Sequence, residues 1–291
     1  MTELQALTEG GIDYILKEGS FVWEVIPKQP SLVVISVPHD GFPAKDFTGL
    51  VQPLLPDMIN PGLLSARDLN IWPIAKDIAC QTPVTIVRGL LPRSFVDYNR
   101  RCPRVREDEL QNLEEPDINI IIGQQLWENY HSKLKSAIER STITTEQASF
   151  PVIRPLLLDL HGFVEQPSYG EYDLIFGTHN GQTISYSIDA RFAAYLLDLG
   201  YRVFLPKRKS WYNMRVGEND KYPGGEIILN CHRMTTAPCI QIEIHQSFRT
   251  RENQSKGIKL AKDIAGFFQR YTAENWDTLA IPNQLSIEQS S

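Results

Sequence analysis

Residues 155–163, with the sequence PLLLDLHGF, constrain the fold more than any other stretch of the chain. Residues 156–160 have the length and apolarity of a strand that is buried on both faces, and Gly162 follows where such a strand would end. We therefore expect His161 at the carboxyl end of a central strand, where open α/β sheets bind ligands. Asp159 leaves the same face of the strand, so its carboxylate can orient the imidazole. On this segment alone, a purely structural Asp–His pair is the favoured interpretation.

Strands alternate with helices along the chain, which indicates a three-layer α/β/α protein with a central mixed, mostly parallel sheet. We expect strands at 31–37, 83–91, 172–177, 202–205 and 239–244, and helices at 71–79, 120–137, 185–199 and 256–271. Weaker patterns suggest a short helix at 14–17, an edge strand at 21–26, a short strand at 95–98, and long loops at 42–64 and 206–225. We expect one domain over residues 1–275 and a poorly ordered polar tail over residues 276–291.

The overall composition excludes several classes of protein. A formal net charge of −6 argues against general nucleic-acid binding, which needs a basic surface. No apolar run is long enough to span a membrane, and the first 19 residues lack the features of a secretory signal. The four cysteines form no CxxC pair, which is typical of reduced thiols in a cytoplasm. The composition is compatible with a homo-oligomer.

Two histidines follow predicted strands, and this pattern suggests a metal site. His39 lies in the turn after the strand at 31–37, and His161 ends the central strand. Two histidines and one carboxylate, with a fourth position left for water, are typical of a catalytic zinc ion. Asp40, Asp46 and Asp68 are the candidate third ligands, and the residues alone leave this choice open.

Other polar residues at strand ends supply the remaining parts of a hydrolytic site. Glu243, on the predicted strand at 239–244, is a candidate general base. Arg100 has the planar donor fork that matches a substrate carboxylate, and Asn99 could assist it. An exposed glutamate and a surface ion pair are the ordinary alternatives for these two charged residues.

Seven short segments, in this order, resemble motifs of the N-formylglutamate amidohydrolases. They are SVPHDG at 36–41, RDLNIW at 67–72, VDYNR at 96–100, YH with a following leucine at 130–134, LDLH at 158–161, Asn219 with YPGG at 222–225, and IQIEI at 240–244. The resemblance implies a zinc-dependent hydrolase with the phosphorylase/hydrolase-like fold, which metallocarboxypeptidases and aspartoacylases share.

The resemblance also implies roles for particular residues. Zinc ligands would be His39, His161 and, as the third, Asp68; Glu243 would be the base; and Arg100, with Asn99, would anchor a carboxylate. Asn219, Gly224 and Gly225 would border the substrate, and His131 would line the pocket or be a structural helix residue. The expected substrate is an N-acyl amino acid similar to N-formylglutamate, or a related small amide that carries a carboxylate.

Three departures from the family pattern keep other functions open. Asp40 stands where a small residue is common, Gly162 where serine is usual, and residues 246–248 differ from the usual end of that strand. One alternative is a carboxypeptidase-like or cell-wall-peptide amidase with the same site. The other is a binding protein that keeps the fold without the metal.

Overall fold

A computed structural model describes residues 12–18, 21–40, 68–91, 93, 96–101, 118–144, 152–164, 171–179, 181–205 and 224–285. Its helices and strands, in chain order, are β1 (Tyr14–Glu18), β2 (Val22–Pro27), β3 (Val33–Val37), α1 (Ile71–Ala79), β4 (Thr85–Gly89), α2 (Ile118–Arg140), β5 (Leu156–Phe163), β6 (Leu174–Gly177), α3 (Tyr186–Asp198), β7 (Val203–Phe204), α4 (Glu226–Thr235), β8 (Cys239–His245) and α5 (Gln254–Leu285). Two short 3₁₀ turns, Gln246–Phe248 and Arg251–Asn253, connect β8 to α5.

The strands form one mixed sheet of eight strands in the order β1-β2-β4-β3-β5-β8-β6-β7. The four central strands β4, β3, β5 and β8 are mutually parallel. On one side, β2 is antiparallel to β4 and β1 is antiparallel to β2. On the other side, β6 is antiparallel to β8, and β7 is parallel to β6. The predicted α/β fold with a mixed, mostly parallel sheet is confirmed.

Alternate residues of β5 contact the two outer layers. Leu156, Leu158 and Leu160 belong to the apolar core that α1, α3 and α5 complete. Leu157 belongs to a second core, which α2 and α4 complete on the opposite face. Burial of each such leucine contributes about 1.5–3 kcal/mol, which offsets the cost of polar groups buried elsewhere in the same strand.

The face towards α2 and α4 changes from apolar to polar along the parallel strands. On β5, Leu157 is followed on this face by Asp159 and His161, because side chains alternate with a period of two. On β8, Gln241 and Glu243 occupy the same face. The candidate site therefore lies on one face of the sheet, towards the carboxyl ends of β5 and β8.

Three predictions for short segments are wrong. Residues 14–17 are not a helix but part of β1, so β2 is an interior strand and β1 is the edge. An isolated helix of four residues is not stable, and the antiparallel partner that makes this segment a strand is not visible locally. Residues 96–98 are not a strand, because the Asp97 carboxylate accepts a hydrogen bond from Asn99 N (3.0 Å) and favours a turn.

The ends of three elements also differ from prediction. Strand β5 does not stop before Gly162 but continues to Phe163, since Gly162 pairs with Ile244 of β8. Helix α4 was not predicted, and α5 extends to Leu285, beyond the expected end at Tyr271. The division at residue 275 stays a prediction. Loops 42–64 and 206–223 lie outside the described residues.

Candidate metal and catalytic site

His39, Asp68 and His161 come together although they are far apart in the chain. His39 follows β3, Asp68 precedes α1, and His161 lies in β5; all three are buried. Each offers a ligand atom within 4.8 Å of the others. Asp68 Oδ2 is 2.9 Å from His161 Nδ1 and 3.5 Å from His39 Nδ1. The two Nδ1 atoms therefore converge on one carboxylate oxygen.

The outer nitrogen of each histidine faces a different carboxylate. His161 Nε2 is 2.9 Å from Asp159 Oδ2, and His39 Nε2 is 3.0 Å from Asp97 Oδ1. A carboxylate at Nε2 fixes the ring orientation and keeps the proton there, which leaves the Nδ1 lone pair for a cation. Asp159 thus lies where the sequence predicted, whereas Asp97 was missed; its only signal was its place two residues before Asn99.

A metal ion fits the chemistry of this cluster. The His39 ring is buried, yet neither of its nitrogens makes a hydrogen bond of acceptable geometry. Buried polar atoms are nearly always satisfied, so a cation that binds Nδ1 would complete this arrangement. Two imidazoles and one carboxylate form a donor set that zinc prefers. Within the described parts of the chain, the three residues are the one group that converges in this way.

The structure distinguishes among the three candidate carboxylates. Asp68 belongs to the cluster, whereas Asp40 Oδ2 accepts a hydrogen bond from the backbone N–H of Trp72 (2.6 Å), in the first turn of α1. Asp40 therefore stabilises the helix N-terminus, where a carboxylate is favoured. Asp46 lies outside the described residues. The geometry supports Asp68 as the third ligand.

The Asp159 carboxylate is held by a short chain of hydroxyl groups. Ser36 Oγ donates to Asp159 Oδ1 at 2.6 Å, and Tyr130 Oη lies 2.8 Å from the same Ser36 oxygen. Asp159 has no exposed surface, so these contacts replace lost hydration. They also hold the carboxylate at a fixed distance from His161.

Charges within the cluster determine the protonation of its members. Burial lowers the pKa of His161, but the charge and hydrogen bonds of Asp159, and then of Asp68, outweigh it and raise the pKa well above its usual value. Burial raises the pKa of Asp68, but the hydrogen bond from His161 and the nearby His39 ring hold that pKa well below its usual range. The cluster is thus an environment that strongly favours positive charge.

Glu243 lies beside the cluster on the neighbouring strand. It is paired with His161 in the β5–β8 register, and burial raises its pKa although the positive charge of His161 opposes this effect. Gln241 Nε2 donates to Glu243 Oε1 at 2.7 Å, and Gln241 Oε1 accepts from Gly225 N at 2.6 Å. Gln241 was not predicted as a site residue; its signal was its position on the same strand face as Glu243.

A cavity of about 290 Å³ opens in front of these residues. Its walls include Asp68, His161, Glu243, Gln241, Arg93, Asn99, Arg100, Gly224 and Gly225. The cavity therefore brings together the predicted base, two of the predicted metal ligands and the predicted carboxylate anchor. Its volume is suited to a small molecule rather than to a macromolecule.

Two arginines, Arg93 and Arg100, also line the cavity. Arg93 Nε donates to Asp97 Oδ2 at 2.7 Å. Arg100 is 65% exposed and its Nε is 3.8 Å from the same oxygen, so its pairing is weak. Arg100 can therefore turn towards an anionic ligand. Arg93 was not predicted, and its neighbours gave no motif that indicated it.

Asn99 is buried and connects the cluster to α4. Its Nδ2 lies 3.2 Å from His161 Nε2, and its Oδ1 accepts from Ile227 N at 3.3 Å. A Cβ at Gly225 would lie only 1.7 Å from Asn99 Oδ1, and Gly224 has φ of 95°, so both positions require glycine. The two glycines shape the cavity wall.

His131 lies away from the cavity, which argues against its predicted role in substrate binding. Its Nε2 donates to Tyr98 O at 3.0 Å, and its Nδ1 accepts from Asn230 Nδ2 at 2.9 Å. Both ring nitrogens are therefore used within the protein, as in a structural helix histidine, the alternative considered above. Asn219 lies outside the described residues.

The fold and this cluster together define a class: three-layer α/β proteins that gather two histidines and a carboxylate at the carboxyl ends of parallel strands. The family model for N-formylglutamate amidohydrolase matches residues 31–249, and the chain belongs to that family. No curated protein sequence gives a significant match. Among the described helices, none combines the length and apolarity needed to cross a membrane.

Solved structures show the same fold. An N-formylglutamate amidohydrolase from Ralstonia eutropha JMP134 matches with a TM-score of 0.60 and 16% identity, over 88% of this chain and 98% of that chain. A gene product from Agrobacterium tumefaciens matches with a TM-score of 0.57 and 14% identity, over 88% of this chain and 96% of that chain. These likenesses support the fold, and the family match supports a hydrolase of the amidohydrolase type.

Proposed function

We propose that the protein is a zinc-dependent amidohydrolase that cleaves the acyl–nitrogen bond of a small N-acyl amino acid, such as N-formylglutamate. The observation that carries the proposal is the convergence of His39, Asp68 and His161 beside Glu243. Family membership supports hydrolysis of an amide. We also propose a cytoplasmic location, which the free, buried thiols of Cys231 and Cys239 support.

The proposed metal ligands are His39 Nδ1, His161 Nδ1 and the Asp68 carboxylate. A zinc ion bound there would polarise the amide carbonyl and lower the pKa of a water molecule. Asp97 and Asp159 lie 3.0 and 2.9 Å from the outer nitrogens of the two imidazoles, and both Nδ1 atoms face the Asp68 carboxylate. The protein thus orients the donors before any ligand binds.

Glu243 is the proposed general base. Its carboxylate takes a proton from the attacking water as oxygen adds to the amide carbon. It returns the proton to the nitrogen of the leaving amine as the carbon–nitrogen bond breaks. Burial, which raises the pKa of Glu243, makes the residue a better proton acceptor at neutral pH. The hydrogen bond from Gln241 fixes the direction of the carboxylate.

Arg100 and Asn99 are the proposed anchor for the substrate carboxylate. The long contact between Arg100 and Asp97 leaves the guanidinium available for a bidentate bond. Asn99 lines the same cavity, and its Nδ2, which donates to Gln241 Oε1 at 3.3 Å, would exchange that bond for one to the substrate. Anchoring the carboxylate at this wall would hold the amide between the cluster and Glu243, and it would restrict substrates to molecules that carry a nearby carboxylate.

Metal analysis and a substrate comparison test the proposal. The purified protein should contain about one zinc ion per chain. A chelator should remove both the zinc and the activity, and addition of zinc should restore both. His39→Ala should prevent zinc binding, whereas His232→Ala, at a residue outside the cavity, should not. Absence of zinc binding would reject the metalloenzyme. Activity on short acyl-peptides but not on N-formylglutamate would reject the proposed substrate and favour the peptidase-like alternative.

A further inference from the structure

The side chain of Arg249 lies behind the candidate site and contacts three separate segments of main chain. Its Nη1 donates to Leu69 O at 2.7 Å, its Nη2 to Phe163 O at 2.9 Å, and its Nε to Ile244 O at 3.1 Å. The residue is 8% exposed, so the guanidinium is almost completely desolvated. A buried cation with all three nitrogens bonded has a defined position.

The three acceptors are close in sequence to three candidate site residues. Leu69 directly follows Asp68, and Ile244 directly follows Glu243. Phe163 lies two residues after His161 in β5. One guanidinium therefore joins the segment before α1 to the ends of β5 and β8. Its planar fork can hold three carbonyl groups in fixed relative positions, which a lysine ammonium on a flexible chain cannot do in the same way.

The segment that carries Asp68 both accepts a hydrogen bond from Arg249 and donates one to it. In addition to the bond to Leu69 O, Asn70 Nδ2 donates to the backbone carbonyl of Arg249. Asn70 has φ of 64°, a left-handed conformation that asparagine tolerates better than most residues. The main chain next to Asp68 is therefore joined to β5 and β8 through Arg249, in addition to the direct contact between Asp68 and His161.

Gly162 provides the space that Arg249 occupies. A Cβ at position 162 would lie 2.3 Å from Arg249 Cζ and 2.5 Å from Nη1. Any side chain there must displace the guanidinium. Glycine within a strand often marks such a close approach.

We propose that Arg249 is a positioning residue that fixes the distances among Asp68, His161 and Glu243, and that Gly162 is glycine in order to admit it. The inference rests on the proposed metal site. Through Leu69 the guanidinium holds the Asp68 ligand against its histidine partner, and through Ile244 it holds the base strand in register. Its charge also offsets the carboxylates of Asp68 and Glu243, which contribute to its electrostatic environment.

Metal affinity in folded variants tests this role. We would measure the dissociation constant of zinc by chelator competition for Arg249→Lys, Arg249→Met and Gly162→Ala, with folding checked by circular dichroism and thermal unfolding. Arg140→Met is the matched control, because it removes an arginine that pairs with the buried Glu24 on a different part of the sheet. We expect zinc binding to weaken by about 10- to 100-fold in all three site variants. The control should lose stability without losing affinity.

A double variant tests whether Gly162 acts through Arg249. Adding Gly162→Ala to Arg249→Met should weaken zinc binding no further, since the displaced group is already gone. If Arg249→Met does not fold, Arg249→Lys decides the question. A folded Arg249→Lys protein with the zinc affinity of the wild type would overturn the inference and leave the proposed function intact. Failure of the wild type to bind zinc would instead reject both.

Discussion

Two buried histidines, His161 in β5 and His131 in α2, differ in what surrounds them. Each is 2% exposed. The His131 ring stacks on Trp127, with 3.6 Å between the ring centroids, and its hydrogen bonds go only to neutral groups. Burial lowers the pKa of His131 to about 4. His161 lies between the carboxylates of Asp68 and Asp159, and its pKa is raised well above the usual value despite burial. Burial acts alike on both, so the carboxylates make the difference.

The comparison shows how a buried histidine can be assigned a role. Neutral partners on both nitrogens keep the His131 ring uncharged and fix it as part of the packing. Carboxylates on both sides of His161 create a place where positive charge is stabilised, whether a proton or a metal ion supplies it. The residues around a histidine are therefore more informative than its burial.

Replacing His161 should have the largest effect. In His161→Ala the cluster loses one of its two imidazoles, so zinc content should fall to background and activity below detection. Elemental analysis and an amidase assay measure these outcomes, with His131→Ala as the control that keeps its zinc when folded. A His161→Ala protein with full zinc content would remove the distinction between the two histidines.

Replacing Glu243 should lower the catalytic rate without changing metal binding by the His161 cluster. Glu243→Gln removes the proton acceptor but nearly preserves shape, so kcat should fall by about 10²- to 10⁴-fold. Zinc content should stay at the wild-type level, because the three proposed ligands are unchanged. Loss of zinc in parallel with kcat would show that Glu243 supports metal binding rather than proton transfer.

Replacing Asp159 should have a smaller effect on the same cluster. Asp159→Asn removes the charge behind His161 Nε2 while it keeps the volume, so zinc affinity should fall by about 10- to 100-fold. Chelator competition measures this change. The matched replacement at the structural histidine is Asn230→Ala, which removes a partner of His131 and should leave zinc affinity unaltered. Equal losses in both variants would contradict the comparison.

Replacing His131 should affect stability and its pH dependence only. In the unfolded chain His131 is protonated below about pH 6.5, whereas in the folded protein it is protonated only below about pH 4. Stability should therefore fall as the pH drops through this window, by up to about 3 kcal/mol. Urea unfolding of His131→Gln between pH 4 and 7 should show a flatter profile, with unchanged zinc affinity at pH 7. An unchanged slope would contradict the assignment.

Local patterns predicted most of the central sheet. The apolar runs of β3, β4 and β5 are recognisable because strands buried on both faces are rich in apolar residues. Strand β8 is recognisable by its alternation of apolar and polar residues. Segments whose state depends on a distant partner were predicted poorly. Strand β1 depends on pairing with β2, and α4, whose Ile227, Ile228 and Cys231 are buried at helical spacing, begins after a glycine pair that resembled a loop.

The candidate site divides in the same way. Residue types next to predicted strands were enough to select His39, His161 and Glu243, and the order of the motifs was enough to indicate the family, because strand ends in a parallel sheet converge on one edge. Only the tertiary structure decided that Asp68 rather than Asp40 joins the histidines, and only the structure revealed Asp97, Gln241 and Arg249. Their contacts join segments that lie far apart in sequence, and the distance between two loops depends on the packing of the whole domain, which no local pattern of residues contains.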